Sequence, residues 1–212
     1  MTDRPIVALD TETTSLVPPY HPQGRETWEV AGIRLDPDGA TTTFLFHLPV
    51  DLTYADPEAL RIGGYWQRSP FERASTRDHE KALKAVAGDG EAVYWKAERD
   101  PYYREWFIDR LWGLLRGAIV VGSNPGFDMV NVSHLFTQAK MPGHLVEPWH
   151  YKPYDIAPQG TAVRGIAGTG PSTVDLSTLF GIARPTEHTA LDDAAWALAM
   201  HDAIEAAKQD RR

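Results

Sequence analysis

Asp10, Glu12, Asp128, His188 and the adjacent pair Asp192 and Asp193 are side chains whose types and spacing could bind a metal or move a proton. Asp10 and Glu12 follow Ile6-Val7-Ala8-Leu9, a continuous apolar run of the kind that forms a strand buried on both faces. Alternate strand residues point the same way, so the two carboxylates would emerge together, repel and raise each other's pKa. A bound divalent cation removes that penalty. With no cysteine in the chain, thiolate sites and disulfides are excluded, and a metal must be held by Asp, Glu or His. All-oxygen ligation suits Mg²⁺ or Mn²⁺ better than Zn²⁺, and two such ions about 3.5–4 Å apart can stabilise both the attacking and the leaving oxygen in phosphodiester cleavage.

Taken singly, none of these residues is decisive. Asp-x-Glu is more often a turn without a ligand. Asp128 in the first turn of a helix can simply complement the helix dipole. A neutral His188 can take a proton from water near pH 7, but most single histidines do not. Thr189 and Asp192 resemble a capping pair at the start of the last helix, with Asp193 the neighbouring carboxylate.

Periodicity predicts the strands and helices on which these residues sit. Trp28 to Leu35 and Thr41 to Leu48 are rich in β-branched and aromatic residues around the turn signal Asp36-Pro37-Asp38-Gly39, which predicts an antiparallel hairpin. Trp106 to Leu115 has helical spacing, and Ala118 to Val121 reads as a second buried strand. Asn124-Pro125 opens a helix, with Asn as N-cap and Phe127, Val130, His134 and Leu135 on one face. Tyr154 to Ala157 reads as a short strand, and Thr173 to Phe180 as a helix stopped by Gly181. The last helix, Ala190 to Lys208, turns Leu191, Ala195, Leu198 and Ala199 to the core. This alternation predicts a mixed α/β sheet.

Length favours a single domain over 1–212, with a weakly patterned insertion at about 66–104. The N-terminus lacks a signal-peptide pattern and no run approaches a membrane span, so a cytoplasmic protein without membrane contact is expected. A net charge of −8 argues against coating long nucleic acid through diffuse electrostatics, and two divalent ions would not reverse its sign. It is compatible with gripping a short end. Four of the seven tryptophans lie between 66 and 112 and offer a candidate platform for base stacking; core packing is the expected use of Trp106 and Trp112, while Trp66 and Trp95 stay open between the two.

The constellation is more specific than its members. Leu9-Asp10-Thr11-Glu12-Thr13-Thr14 resembles the first motif of the DEDDh (DnaQ-like) 3′→5′ exonuclease family. Asn124-Pro125-Gly126-Phe127-Asp128 resembles the second and His188-Thr189-Ala190-Leu191-Asp192-Asp193 the third. The order matches, Asp56 to Leu60 is similar to the segment after the third strand, and Val174 to Ile182 resembles the helix before the third motif. The resemblance implies a ribonuclease H-like fold, a five-stranded mixed sheet flanked by helices, with Asp10, Glu12, Asp128 and Asp193 binding two Mg²⁺ or Mn²⁺ ions. It makes His188 the general base and leaves Asp192 to the helix cap. Thr13 and Leu16 fall where the family contacts the terminal sugar and base, and Glu58 where it makes a nucleotide contact. One departure is Gly63, where the family's proofreading subunit carries a His.

The activity implied is release of nucleoside 5′-monophosphates from single-stranded or frayed DNA 3′ ends, as in proofreading during replication or repair. The partners implied are those ends and a DNA polymerase. The alternatives are an exoribonuclease or oligoribonuclease of the same family, a non-catalytic module that binds nucleic acid or a polymerase, and an unrelated α/β protein with coincident motifs. The presence of every carboxylate and of His188 argues against the second, and the order of the motifs against the third.

Overall fold

Val7, Ala8 and Leu9 are excluded from solvent because strand β1 (Ile6–Thr13) lies inside a sheet covered on both faces. The structure is a computed structural model that describes residues 3–71, 81, 84–96, 103–139, 147–166, 172–186 and 188–211. Among these, β1 is joined by β2 (Thr27–Leu35), β3 (Thr41–His47), β4 (Glu91–Lys96), β5 (Ile119–Gly122) and β6 (Tyr154–Asp155). The sheet order is β4-β3-β2-β1-β5-β6. The antiparallel β2 is flanked by β1 and β3, while β4 pairs parallel with β3, β5 with β1, and β6 with β5.

The expected hairpin is β2–β3, closed by a turn in which Gly39 N–H donates to the Asp36 carbonyl at 2.9 Å and Gly39 takes φ +89°. The sheet has six strands where five were expected. The sixth, β4, comes from the 66–104 region and pairs with the otherwise open edge of β3, from Thr42↔Glu91 to His47↔Lys96. An unpaired edge strand exposes a row of backbone donors and acceptors, and the insertion covers part of that row.

Helices pack on the two faces according to the parity of the strand residues. Val7, Leu9, Val30, Phe44 and Phe46 meet Phe107, Ile108 and Leu111 of α3 (Tyr103–Leu115) and Val132 and Phe136 of α4 (Pro125–Ala139). On the opposite face, Ala31, Ile33 and Leu45 meet Ala190 and Leu191 of α7 (Ala190–Gln209). The same helix packs Trp196, Met200 and Ile204 with Ile156 of α5 (Ile156–Arg164) and Leu176 of α6 (Thr173–Phe180). Two short helices, α1 (Pro57–Ile62) and α2 (Tyr65–Arg68), follow β3.

Several local expectations are corrected. The strand read at 154–157 ends at Asp155, whose side chain accepts from Ala157 N–H and caps α5. Asn124 adopts φ +60°, a left-handed turn that Asn tolerates, so it is not in the extended N-cap conformation expected of it. The inward face of α4 is Asp128, Asn131, Val132, Leu135 and Phe136, while Val130 is exposed. In α7 the buried stripe runs through Leu191, Ala194, Ala197 and Met200; Ala195 and Leu198 are half-buried and Ala199 is exposed. Trp106 is partly exposed against Phe46, Trp112 packs on the core, Trp66 is exposed, and the Trp95 side chain lies outside the described residues. No described helix is long and apolar enough to cross a membrane.

Gly32 lets the central strands meet closely. A Cβ there would lie 2.6 Å from the Ala8 carbonyl oxygen and 2.4 Å from the Phe44 ring. Gly32→Ala is therefore expected to destabilise the protein by about 1–3 kcal/mol in a urea titration, the usual cost of overpacking a tight site.

Candidate metal centre

The pleat of β1 divides the site between two faces. Asp10 and Glu12 point to the α7 side, as Ala8 does, and there they meet Asp193 in the first turn of α7. One ligand atom from each of the three lies within 4.8 Å of the others. Thr11 points the opposite way and engages Asp128 on α4. Its amide N–H (2.9 Å) and its hydroxyl (2.7 Å) both donate to Asp128 Oδ1. The Thr11 hydroxyl in turn accepts from Asn131 Nδ2 at 2.9 Å, and Asn131 Oδ1 accepts from Arg25 Nε at 2.6 Å. This relay runs from a cation to an anion, so each donor strengthens the next. It also anchors the loop after β1, because Arg25 donates to the Leu16 carbonyl at 3.1 Å and stacks 4.1 Å from the Phe127 ring centroid.

The third-motif segment separates two adjacent carboxylates. Asp192 belongs to the cap: its N–H donates to Thr189 Oγ1 at 3.0 Å, and the Thr189 hydroxyl donates to Asp192 Oδ2 at 2.7 Å. Asp193, one position on around the helix, turns to the cluster. His188 Nδ1 lies 3.6 Å from Asp193 Oδ2 with its side chain 45% exposed, so the imidazole is open to solvent at the rim.

The residues expected to touch substrate lie at the end of β1, in the loop after it and on α1. Thr13 is buried and donates its hydroxyl to the Ser15 carbonyl at 2.9 Å, within the turn that leaves β1. Leu16, in the following loop, is 76% exposed. Glu58 is exposed on α1, and both its oxygens accept from Arg61, at 2.6 and 2.7 Å. Gly63 lies directly against Glu12 of the carboxylate cluster: a Cβ there would come 2.7 Å from Glu12 Oε2.

Burial and like charge push the carboxyl groups up. Asp10 is held well above the ordinary value by desolvation, then by Asp128, Glu12 and Asp193. Glu12 is raised to about 8 by desolvation and by Glu29, against the lowering effect of Arg68. Desolvation raises Asp128 despite its bonds from Thr11, and raises Asp193 despite Arg184 and His188. Oxygen donors that bind protons this tightly want positive charge, which fits a divalent cation of the Mg²⁺ or Mn²⁺ class.

Arg25, Asn131, Glu29 and Arg68 escape the sequence reading. A signal exists for two of them: Glu29 is a carboxylate set among the apolar residues Trp28 to Ile33, and Asn131 is one turn beyond Asp128 on the same helical face. The two arginines have no local signal.

Two outcomes follow. The folded protein binds the Glu12 proton more tightly than the unfolded chain, so this group favours folding at low pH and loses that contribution as pH rises from about 4.5 to about 8. The melting temperature of metal-free protein should therefore fall across this window, less steeply in Glu12→Gln, and Mn²⁺ should restore it most at the alkaline end. Separately, Gly63 has φ −69°, which any residue adopts, so Gly63→Ala acts only by displacing Glu12. It should weaken Mn²⁺ binding about tenfold or more, as read by the free-Mn²⁺ signal in electron paramagnetic resonance.

No protein-family model matches the sequence, and no curated protein matches it. Among solved structures, E. coli exonuclease I with a dT13 oligonucleotide aligns at a TM-score of 0.59 and 18% identity, over 98% of this chain and 42% of that one. Its complex with the inhibitor BCBP gives 0.59 and 19% over 100% and 43%. The zinc-bound single-stranded DNA complex gives 0.58 and 19% over 99% and 42%. This chain thus spans less than half the length of those structures. The likeness is one of fold, and together with the helix-flanked mixed sheet it shows that the chain has a ribonuclease H-like fold.

Proposed function

We propose that this chain is a metal-dependent 3′→5′ exonuclease of the DEDDh type that releases nucleoside 5′-monophosphates from single-stranded or frayed DNA ends. The observation that carries the proposal is the convergence of Asp10, Glu12 and Asp193 within 4.8 Å, with Asp128 on the other side of β1 and His188 at the rim. Asp10, Glu12, Asp128 and Asp193 would hold two Mg²⁺ or Mn²⁺ ions, which supply positive charge to the attacking and leaving oxygens of the phosphodiester.

The remaining work falls to the chain's own residues. His188, solvent-open and beside Asp193, takes the proton from the attacking water and passes it to bulk solvent. The Thr11 and Asn131 relay keeps Asp128 in place, and the exposed Leu16 offers an apolar surface to the terminal base. DNA is favoured as substrate because E. coli exonuclease I, with the same fold, is known in complex with dT13 and dA16 oligonucleotides. A polymerase partner has no such support.

The test is digestion of 5′-labelled single-stranded DNA and of its RNA equivalent with Mg²⁺, Mn²⁺ or EDTA. A ladder shortening from the 3′ end, abolished by EDTA and by Asp10→Ala, is the expected result. His188→Ala should lower the rate by about 10²–10⁴-fold, the range for loss of a general base. A ladder on RNA alone would move the substrate to oligoribonucleotides. Failure of folded, Mn²⁺-loaded protein to cut either would overturn the nuclease reading.

A further inference from the structure

Behind Glu12, three side chains stand in one row across the sheet: Glu12 on β1 pairs in register with Glu29 on β2, and Glu29 with His47 on β3. Glu29 and His47 are wholly buried. Over this row lies Arg68, the last residue of α2. Its Nη1 donates to Glu29 Oε1 at 2.5 Å, and its Nη2 reaches the His188 carbonyl at 3.2 Å and Glu12 Oε1 at 3.5 Å. Nε donates to the Gly63 carbonyl at 3.1 Å, an oxygen that Nη2 also contacts, and the guanidinium stands 5.0 Å from the Trp28 ring centroid. Glu29 Oε1 also accepts from Ala190 N–H at 3.0 Å, at the start of the helix that carries Asp193.

We infer that Arg68 is a positioning residue that sets Glu12 and the His188–Asp193 segment in register as one unit. This rests on the nuclease reading for its meaning in catalysis, but its geometry stands apart. Glu29 balances the charge of Arg68, so the pair adds hydrogen-bond donors to the centre without adding net charge. Arg68 on the Oε1 side and Gly63 on the Oε2 side leave Glu12 little rotational freedom. The Nη2 bond to a main-chain carbonyl fixes the residue that bears the imidazole, not the imidazole itself. A planar fork of five N–H donors can serve all these acceptors at once, whereas a lysine ammonium has three donors on a single point.

The test compares wild type with Arg68→Lys and with the double variant Arg68→Met/Glu29→Gln. Removing Arg68 alone would strand a buried carboxylate. The double variant removes both charges, and the side-chain amide oxygen that Glu29→Gln introduces can still accept from Ala190 N–H, so folding is expected to survive. Mn²⁺ affinity is read by electron paramagnetic resonance without substrate, and kcat and KM on single-stranded DNA. The double variant should melt near wild type yet bind Mn²⁺ about 10–100-fold more weakly, with kcat reduced by a similar factor and KM changed less than about twofold. Arg68→Lys should recover only part of either loss. Should the double variant fold poorly, Arg68→Lys is judged by the same criterion. A folded variant within about twofold of wild type in both Mn²⁺ affinity and kcat overturns the inference. Wild type that binds Mn²⁺ but cuts nothing overturns the nuclease reading instead, and the Mn²⁺ comparison alone then decides the role of Arg68.

Discussion

Loss of solvent and mutual repulsion among four crowded carboxylates, one buried and three half-buried, form the constraint around which this molecule is arranged. Asp10, Glu12 and Asp193 meet on one side of β1, and Asp128 lies on the other, close enough to be the strongest charge raising Asp10. Each loses hydration on folding and gains a like-charged neighbour, and both effects favour its protonated form. Such a cluster persists only where the surrounding fold is stable enough to hold it together, and it is functional sites that exploit such strain.

Two hydrogen-bonded systems hold the acidic groups, one on each face of β1. On the α4 face, Arg25, Asn131 and Thr11 form a chain of donors ending at Asp128. On the α7 face, Arg68 bridges Glu12, Glu29 and the His188 carbonyl, while Glu29 binds the first turn of α7. Burial pushes Glu29 up, yet Arg68, His47 and the Ala190 N–H outweigh it and hold the carboxylate below its ordinary value. Its partners thus favour the anion of Glu29, whereas burial and like charge favour the protonated forms of Asp10 and Glu12. The contrast assigns different roles to chemically identical side chains: Glu29 is neutralised by the protein, whereas Glu12 and Asp10 retain a demand for positive charge.

The ribonuclease H-like sheet makes this economical. β1 is interior, paired with β2 along its length and with β5 over Ile6 to Ala8, and the alternation of its side chains sends Asp10 and Glu12 to one layer of helices and Thr11 to the other. The β4 addition lies at the far edge, beside β3, with two strands between it and β1. The sheet can therefore accept extra chain there without disturbing the centre.

Features that act within a few residues were legible before any fold was known. The apolar run before Asp10, the Asp-x-Glu spacing, the hairpin signal at Asp36 to Gly39 and the cap at Thr189 are of this kind, because periodicity and turn chemistry dominate at short range. Contacts between distant segments emerge only once the chain is folded. Arg25 meets Asn131 across 106 positions, and Arg68 meets the His188 carbonyl across 120. No local pattern marks an arginine for such a role, since an exposed arginine and a buried one read alike until the strands are paired. The sixth strand did carry a local signal, since Val93, Tyr94 and Trp95 are strand-forming types, but a run this short gains a defined place only by pairing with the open edge of β3. Even the inward faces of α4 and α7 differ from those expected, because periodicity gives the width of an apolar stripe while its rotation is set by what the sheet presents to it.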